Sequence, residues 1–110
     1  MFSTYGNGIN TGTYATAYGV LSARAQSLTF FDAFRQGELT SYIATLSIQG
    51  VTHGGTSDSA EVAFTSDQDP NAGGHDQACS NWKMTYTLIP NGSSWLIDTA
   101  SPHQGSPSPC

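Results

Sequence analysis

An alternating pattern of apolar and polar side chains near the end of the chain constrains its fold most strongly. Between residues 82 and 88, every second position is large and apolar: Trp82, Met84, Tyr86 and Leu88. An extended strand with this pattern is apolar on one face and polar on the other. A second such segment ends at Asp98, and Asn91-Gly92, a dipeptide favoured in tight hairpin turns, lies between the two. The sequence therefore predicts a half-buried antiparallel hairpin.

Two more strands and a helical region are predicted before this hairpin. The alternating segments are residues 42–51, 60–66, 80–89 and 95–100, and Gly- and Asp-containing segments at 53–58 and 67–76 join the first three. Helical signals come first and strands afterwards, which is typical of an α+β protein. We therefore expect N-terminal helices packed on one face of a strongly curved, mainly antiparallel four-stranded sheet. Residues 1–100 form this single domain, and residues 101–110 form a Pro- and Ser-rich tail.

Three short helices are predicted before the first strand. Apolar residues recur at helical spacing over residues 2–9, and Thr13 is positioned to cap a second helix. A third helix is predicted to open at Ser27 or Thr29 and to end at Gly37. Glycines within the first two helices weaken them by about 1 kcal/mol each relative to alanine. These helices must therefore depend on packing against the sheet.

Charge excludes one class of partner. The chain has three Lys or Arg residues against eight Asp or Glu residues, which gives a formal net charge of -5. Binding to a phosphate backbone needs clustered basic residues, so nucleic acid is not a predicted partner. No apolar run approaches the roughly 18 residues that span a bilayer, and no signal-like segment opens the chain. We therefore predict no membrane span, and expect any export signal or anchor to have been removed from this sequence.

Two cysteines suggest a covalent tie. Cys110 ends a tail that has no other reason to be ordered, so a Cys79–Cys110 disulfide is predicted, worth about 3 to 4 kcal/mol for a loop of this length. The alternative is two free thiols in a reducing compartment. Only 10% of residues are charged, and a Ser- and Thr-rich, Lys-poor surface is common in exported proteins. The disulfide and the composition together favour an extracytoplasmic or secreted location.

Three segments carry a family resemblance. Residues 14–22 (YATAYGVLS), 31–34 (FDAF) and 95–98 (WLID), in this order, resemble the NTF2-like (SnoaL-like, cystatin-like) superfamily, and in particular its small exported bacterial members, over residues 2–100. The resemblance implies a cone of helices and curved sheet that opens into a pocket, and a homodimer formed through the sheet. By the same resemblance, the pocket is lined or plugged by Tyr14, Tyr18, Phe31, Phe34, Trp82 and Tyr86.

Catalytic residues are harder to assign. Several members of this superfamily are enzymes, including steroid isomerases, polyketide cyclases and hydrolases, and they hold carboxylates or histidines in a dry pocket. The nearest candidates are Asp98, Tyr14 and Asp32, without the arrangement of those enzymes at matching positions. Asp32 is better explained as an acidic residue in the first turn of a helix. Asp98, at the end of a buried strand, is expected to meet water or Lys83.

No metal or cofactor site is predicted. The three histidines, His53, His75 and His103, lie in predicted loops or the tail without ligand spacing. Asp67, Asp69 and Asn71 match the first positions of a calcium-binding loop, but alanines at positions 72 and 78 replace the required Gly and Glu.

The sequence thus favours a non-catalytic extracytoplasmic module that binds a small apolar ligand or a protein partner. The alternative is a cofactor-independent isomerase, cyclase or hydrolase of an apolar substrate that uses Asp98 or Asp32 with Tyr14 or Tyr18. A purely structural dimerisation domain is the third class. An apolar pocket above roughly 300 Å³ with one convergent carboxylate would favour the enzyme. A cone filled by Phe31, Phe34 and Trp82 would favour an interaction module.

Overall fold

Four short helices precede five strands in the computed structural model, which describes residues 1–71 and 77–110. The helices are α1 (Phe2–Asn10), α2 (Tyr14–Tyr18), α3 (Ala23–Leu28) and α4 (Phe31–Glu38). The strands are β1 (Tyr42–His53), β2 (Asp58–Asp67), β3 (Cys79–Asn91), β4 (Ser94–Pro102) and β5 (Ser108–Pro109). The predicted α+β class is confirmed. None of the described helices is long and apolar enough to cross a membrane.

The sheet is an open antiparallel meander. Its strand order is β1-β2-β3-β4, and β5 pairs with β3. Tyr86 at the centre of β3 lies opposite Ala60 of β2 and Ala100 of β4, which sets the register across the three strands. Register shifts interrupt the β1–β2 and β3–β4 ladders. The four predicted strands are confirmed, while the strong curvature stays a prediction.

One face of the sheet carries the larger of two cores. On β3, Met84, Tyr86 and Leu88 are buried, and the residues between them face the other way, as the alternation predicts. From the helical layer, α1 contributes Phe2, whose ring lies 5.1 Å from that of Tyr86. The buried residues of this core are Phe2, Ala60, Val62, Met84, Tyr86, Leu88 and Ile97. Packing on the sheet therefore holds a helix that glycines weaken.

A second, smaller core lies within the helical layer. Ile9, Ala17 and Phe34 are its buried members, and Tyr18 places its ring 5.4 Å from that of Phe34. Between the two cores, the backbone of residues 20–22 pairs with Ile97 along the edge of β4 that does not pair with β3. The short helices are thus tied both to one another and to the last long strand.

The start of the third predicted helix is wrong. Ser22, not Ser27 or Thr29, caps a helix, because its side chain accepts a hydrogen bond of 3.1 Å from the Ala25 amide. Thr29 and Phe30 then adopt extended backbone conformations, and α4 begins at Phe31. The predicted helix therefore corresponds to α4, which begins two residues after Thr29, and α3 is an additional helix that Ser22 caps.

Two chain reversals follow the predicted turn chemistry with small differences. The β1–β2 connection occupies residues 54–57, and His53 and Asp58 form its closing pair. Between β3 and β4, residues 92 and 93 form the turn, and Gly92 adopts the positive φ of 62° that glycine tolerates best. Asn91 ends β3, so the turn lies one residue later than the Asn-Gly pattern predicts.

The C-terminal segment is more ordered than a tail. Ser101 and Pro102 continue β4, and Ser108 and Pro109 pair with β3 beyond the end of β4. The Cys79–Cys110 disulfide is present, which confirms that prediction. It is accompanied by a backbone hydrogen bond of 3.2 Å from the Cys110 amide to the Cys79 carbonyl. The last residues therefore extend the sheet along the free part of β3.

The contact between α1 and α2 requires glycine at position 8. A Cβ atom there would lie 2.9 Å from both the Cβ and the backbone N of Ala17, whereas a Cβ at Gly6 would meet nothing within 4 Å. We expect Gly8→Ala to lower the free energy of unfolding by about 1 to 3 kcal/mol, as overpacking does. The matched variant Gly6→Ala should raise it by up to about 1 kcal/mol through helix propensity. Urea denaturation measures both, and equal effects would contradict the close approach.

Removal of the disulfide should destabilise the folded chain, because it frees a loop between two cysteines that are 31 positions apart. We expect the double variant Cys79→Ser/Cys110→Ser to lose about 3 to 4 kcal/mol of unfolding free energy. Guanidinium denaturation with and without a reductant provides the measurement. The wild type should respond to the reductant and the double variant should not. A wild type that is equally stable when reduced would argue against this contribution.

Candidate functional site

A cavity of about 270 Å³ lies between the helical layer and the sheet. The helical side is formed by α1 and by the C-terminal end of α4, and the sheet side by the inner faces of β2 and β3. Aromatic rings form much of its wall: Tyr5, Phe64, Trp82 and Tyr86. Phe64 and Trp82 are opposite each other in the β2–β3 register, and their rings stack at 5.8 Å. Strand pairing thus brings two of the aromatic lining residues together as a stacked pair.

Glu38 supplies the only charged side chain among the described residues that line this cavity. It is the last residue of α4, and the turn that follows begins with an exposed Leu39. Burial raises the pKa of the Glu38 carboxyl above its ordinary value, and a side-chain hydrogen bond with Ser41 acts in the opposite direction. A carboxylate at this place is therefore costly to charge unless something compensates it.

Two phenols lie close enough to Glu38 to respond to its charge. Burial raises the pKa of both Tyr5 and Tyr86, and the nearby Glu38 carboxylate raises them further; for Tyr86 the pKa reaches about 12. Both hydroxyls therefore stay protonated at physiological pH and can donate a hydrogen bond. Neither hydroxyl has a hydrogen-bond partner among the described residues.

Tyr86 is 7% exposed, so its unpaired hydroxyl is informative. In the described part of the chain, every side-chain nitrogen or oxygen that is fully shielded has a hydrogen-bond partner. The Tyr86 hydroxyl is therefore open to the cavity rather than enclosed by protein. Together with Glu38 and Tyr5, it forms what we call the carboxyl–phenol cluster.

The end of the cavity farther from Tyr86 along β3 is polar, but its side chains form their hydrogen bonds with one another. Gln68 donates to the Ser80 hydroxyl at 2.9 Å and to the Gln77 carbonyl, and its side-chain oxygen accepts from Ser66 at 2.8 Å. Ser80 donates to the Gln77 side chain at 2.6 Å, and Ser66 also accepts from the Trp82 indole at 3.0 Å. These groups hold β2 against β3, and their hydrogen-bonding capacity is largely used within the protein.

A second, more open groove of about 330 Å³ adjoins the cavity between α3, α4 and β4. Tyr5, Gly37, Glu38 and Ala100 line both spaces, so the end of α4 lies between them. The groove also reaches Asp98. Glu38 is consequently accessible from two sides of the helical layer.

The predicted pocket residues divide into three groups. Trp82 and Tyr86 line the cavity, and Phe34 lines the groove. Tyr14 and Tyr18 pack in the helical core, and Phe31 contacts the Tyr18 ring at 5.4 Å. The Tyr18 hydroxyl donates to the carbonyls of Gln26 and Thr29. The helical aromatics thus mostly stabilise the helices rather than form a pocket wall.

The predicted catalytic candidates do not converge. Asp98 accepts hydrogen bonds from Ser22 at 2.6 Å and from Arg24 at 2.8 Å, and these bonds, with Arg24 first, hold the pKa of Asp98 below its ordinary value. Its partner is Arg24 rather than Lys83. Asp32 is exposed in the first turn of α4, and Tyr14 is in the helical core. The structure therefore does not bring these three side chains to one cavity.

Tyr5 and Glu38 are the residues that sequence reasoning missed. Tyr5 matched the apolar face of α1, and nothing distinguished it from a core aromatic. Glu38 offered one usable signal, because an acidic residue in the last turn of a helix is disfavoured by the helix dipole. A residue kept at an unfavourable position is a candidate for function.

Histidines pair with carboxylates at two separate places. His53 lies 2.7 Å from Asp58 at the β1–β2 turn, and His103 lies 2.6 Å from Glu61 on the outer face of the sheet. Over residues 1–71 and 77–110, no group of three or more His, Cys, Asp or Glu side chains could hold a metal ion. Asp69 accepts from the Asn71 amide, and residues 72–76 of the segment compared with a calcium-binding loop, which include His75, lie outside the described residues.

Comparison with known proteins identifies a shared fold only. No family model and no curated protein matches the chain. A SEC-C motif containing protein from Rhodopseudomonas palustris, known from its solution structure, matches 89% of this chain and 72% of its own with a TM-score of 0.68 and 11% identity. The intermembrane space region of the chloroplast protein ARC6 matches 92% of this chain and 89% of its own with a TM-score of 0.60 and 16% identity.

These comparisons overturn the family assignment drawn from the sequence. Neither solved structure is described as an NTF2-like protein, and no family model supports that superfamily. The motifs at residues 14–22, 31–34 and 95–98 are accounted for by helical packing and by the last long strand. What the comparisons support is an α+β fold shared with two proteins of very different sequence.

The position of Glu38 predicts a specific pH dependence of stability. Because its pKa is raised above 4.5 in the folded state, its contribution favours folding at low pH and is lost as the pH rises through the raised value. Glu38→Gln should remove this loss. At about pH 8 the variant should therefore exceed the wild type in unfolding free energy by on the order of 1 kcal/mol, as relief of an uncompensated buried polar group does. The two proteins should converge near pH 4.

Glu61→Gln is the matched control, since Glu61 pairs with His103 on the outer face. Denaturant unfolding at several pH values measures all three proteins. No gain in the Glu38 variant at high pH, or an equal gain in the control, would contradict burial of the Glu38 carboxyl.

Proposed function

We propose that this protein is a non-catalytic, extracytoplasmic module that binds a small, largely apolar ligand in the cavity between α1, α4 and the sheet. The observation that carries the proposal is the cavity itself: aromatic walls with one cluster of polar groups open to it. Small-molecule sites in proteins combine an apolar lining with a few polar groups that orient the ligand. The carboxyl–phenol cluster would hold the polar atom of the ligand, and the stacked Phe64 and Trp82 its apolar body.

The size of the cavity limits the ligand. Sites for drug-sized molecules usually occupy roughly 300 to 1,000 Å³, and this cavity is slightly smaller at about 270 Å³. A cone filled by Phe31, Phe34 and Trp82 was expected for a protein-interaction module. Phe31 and Phe34 do not line this cavity, so they do not fill it. A small ligand is for this reason favoured over a protein partner.

The disulfide supports the proposed location. Structural disulfides persist in oxidising compartments, and this one fixes the last residue of the chain to β3. An extracytoplasmic or secreted protein is consistent with such a tie. The homodimer through the sheet was implied only by the resemblance to the NTF2-like superfamily, so it loses its basis with that assignment.

A proton-transfer enzyme is the second candidate, and Glu38 is the observation that favours it. A carboxyl whose pKa is raised by burial, next to two protonated phenols, has the properties of a general base with hydrogen-bond donors for a developing negative charge. Such an isomerase, cyclase or hydrolase would need no cofactor. In this alternative Glu38, rather than Asp98 or Asp32, transfers the proton, and Glu38→Gln would abolish turnover while ligand still bound.

Ala100 offers a direct test of binding, since its side chain lines the cavity and its register partner is Tyr86. The neutral fluorophore N-phenyl-1-naphthylamine should bind the wild type saturably, with one site per chain. Ala100→Trp should fill the space and weaken binding by about tenfold or more, equivalent to about 1.4 kcal/mol. The matched control Ser101→Trp, opposite Thr85 on the other face, should bind normally.

Equal binding by the two tryptophan variants would show that the fluorophore binds elsewhere, and would contradict the proposal. Native mass spectrometry of protein purified without added ligand provides an independent measurement. It reports a retained small molecule, the oligomeric state and the disulfide mass in one spectrum.

A further inference from the structure

The charge that lines the cavity is of one sign, negative. Glu38 is its single charged residue in the described part of the chain, and no Lys or Arg lines it. Four aromatic rings surround the same space. We infer, on the basis of the proposed binding function, that the ligand is an organic cation, in which an ammonium group is carried on a small apolar body.

The aromatic walls suit a cation. The face of an aromatic ring is electrostatically negative, and ammonium groups bind within about 6 Å of such faces, more strongly when water is excluded. Trp is the strongest of these partners, followed by Tyr and Phe. The cavity combines one Trp, two Tyr and one Phe from α1, β2 and β3. These are the residue types that form the aromatic cages of quaternary ammonium sites.

Among the described residues that line this cavity, none carries a charge opposite to that of the Glu38 carboxylate, whose side chain is hydrogen-bonded to Ser41. Arg24 is committed to Asp98, and Lys83 is exposed on β3, which places it away from the cavity residues Trp82 and Met84. Arg35 also is absent from the lining. A buried carboxylate without a counter-charge is costly, so an entering cation would be stabilised by pairing with Glu38. The net charge of -5 also attracts cations to the protein.

Other ligand classes fit less well. An anion would be repelled by Glu38 and would find no basic side chain among the described residues that line the cavity. A neutral ligand could accept hydrogen bonds from the Tyr5 and Tyr86 hydroxyls, but it would leave the Glu38 carboxylate without a counter-charge. A cation that also carries a hydrogen-bond acceptor would use all three members of the carboxyl–phenol cluster.

The cation preference should grow with pH. Over residues 1–71 and 77–110, the titratable groups that line the cavity or the groove with Glu38 are Tyr5 from α1, Tyr86 from β3, and Asp98 from β4, where it is paired with Arg24. The tyrosines stay protonated and Asp98 stays ionised between about pH 5 and pH 7, because their pKa values are shifted away from this range. Glu38 is the member of this set whose raised pKa moves its ionisation toward that range.

Two molecules of nearly equal shape separate charge from size. Phenyltrimethylammonium is a permanent cation, and tert-butylbenzene is its neutral isostere. Each is used to displace N-phenyl-1-naphthylamine from the full chain with its disulfide intact. In the wild type at pH 7, the cation should displace the fluorophore at a concentration at least about tenfold lower than the isostere requires. Lowering the pH toward the raised pKa of Glu38 should reduce this preference, since the carboxyl then takes up a proton and loses its charge.

Variants assign the preference to Glu38. Glu38→Gln should lose most of the preference and its pH dependence while still binding the neutral isostere, and Glu61→Gln on the outer face should keep both. The pH series on the wild type tests the same claim without any substitution. Equal or weaker binding of the cation at pH 7, or a preference that survives in Glu38→Gln, would overturn the inference but leave the binding function intact. Failure of the fluorophore and both isosteres to bind would overturn the binding function itself.

Discussion

The structure depends on covering one apolar sheet face with helices that are too short to cover all of it. An α-helix rises about 1.5 Å per residue and a strand about 3.3 Å. The helices contain 9, 5, 6 and 8 residues, whereas β1 and β3 contain 12 and 13. Coverage is therefore uneven. Phe2 of α1 closes the core over Tyr86, while Ile48 and Val51 on β1 stay about half exposed.

The cavity follows from the same geometry. α4 packs on α2 through Tyr18 and Phe34 and ends at Glu38 next to the uncovered part of β2 and β3. The space that remains is bounded by the sheet on one side and by Tyr5 on the other. Because polar groups at one end are satisfied within the protein and those at the other end are open, the cavity has a defined polarity. A ligand would therefore be oriented by the fold itself.

The strands could be predicted from sequence and the site could not. Period-two alternation and a turn glycine place β3 and β4, although their turn lies one residue later than predicted and a register shift interrupts their pairing. Cys110 had few roles other than a disulfide. The break at Thr29 could not be foreseen, because both Ser22 and Ser27 are plausible caps and only packing selects between them. Glu38 lies 33 positions after Tyr5 and 48 positions before Tyr86, so the meeting of these residues depends on how the helical layer is placed.

The helical core and the carboxyl–phenol cluster are mechanically linked. Phe34 is buried against Ile9 and Ala17, and Glu38 lies one turn further along the same short helix. Tyr5 joins the two, since its ring lies 6.3 Å from that of Phe34 and it also lines the cavity. A ligand that binds only the folded chain stabilises it, and here it would do so by holding α1 and α4 together over the sheet. A layer of short helices, two of which, α1 and α4, contain glycines, is thus the part that a bound ligand would stabilise most directly.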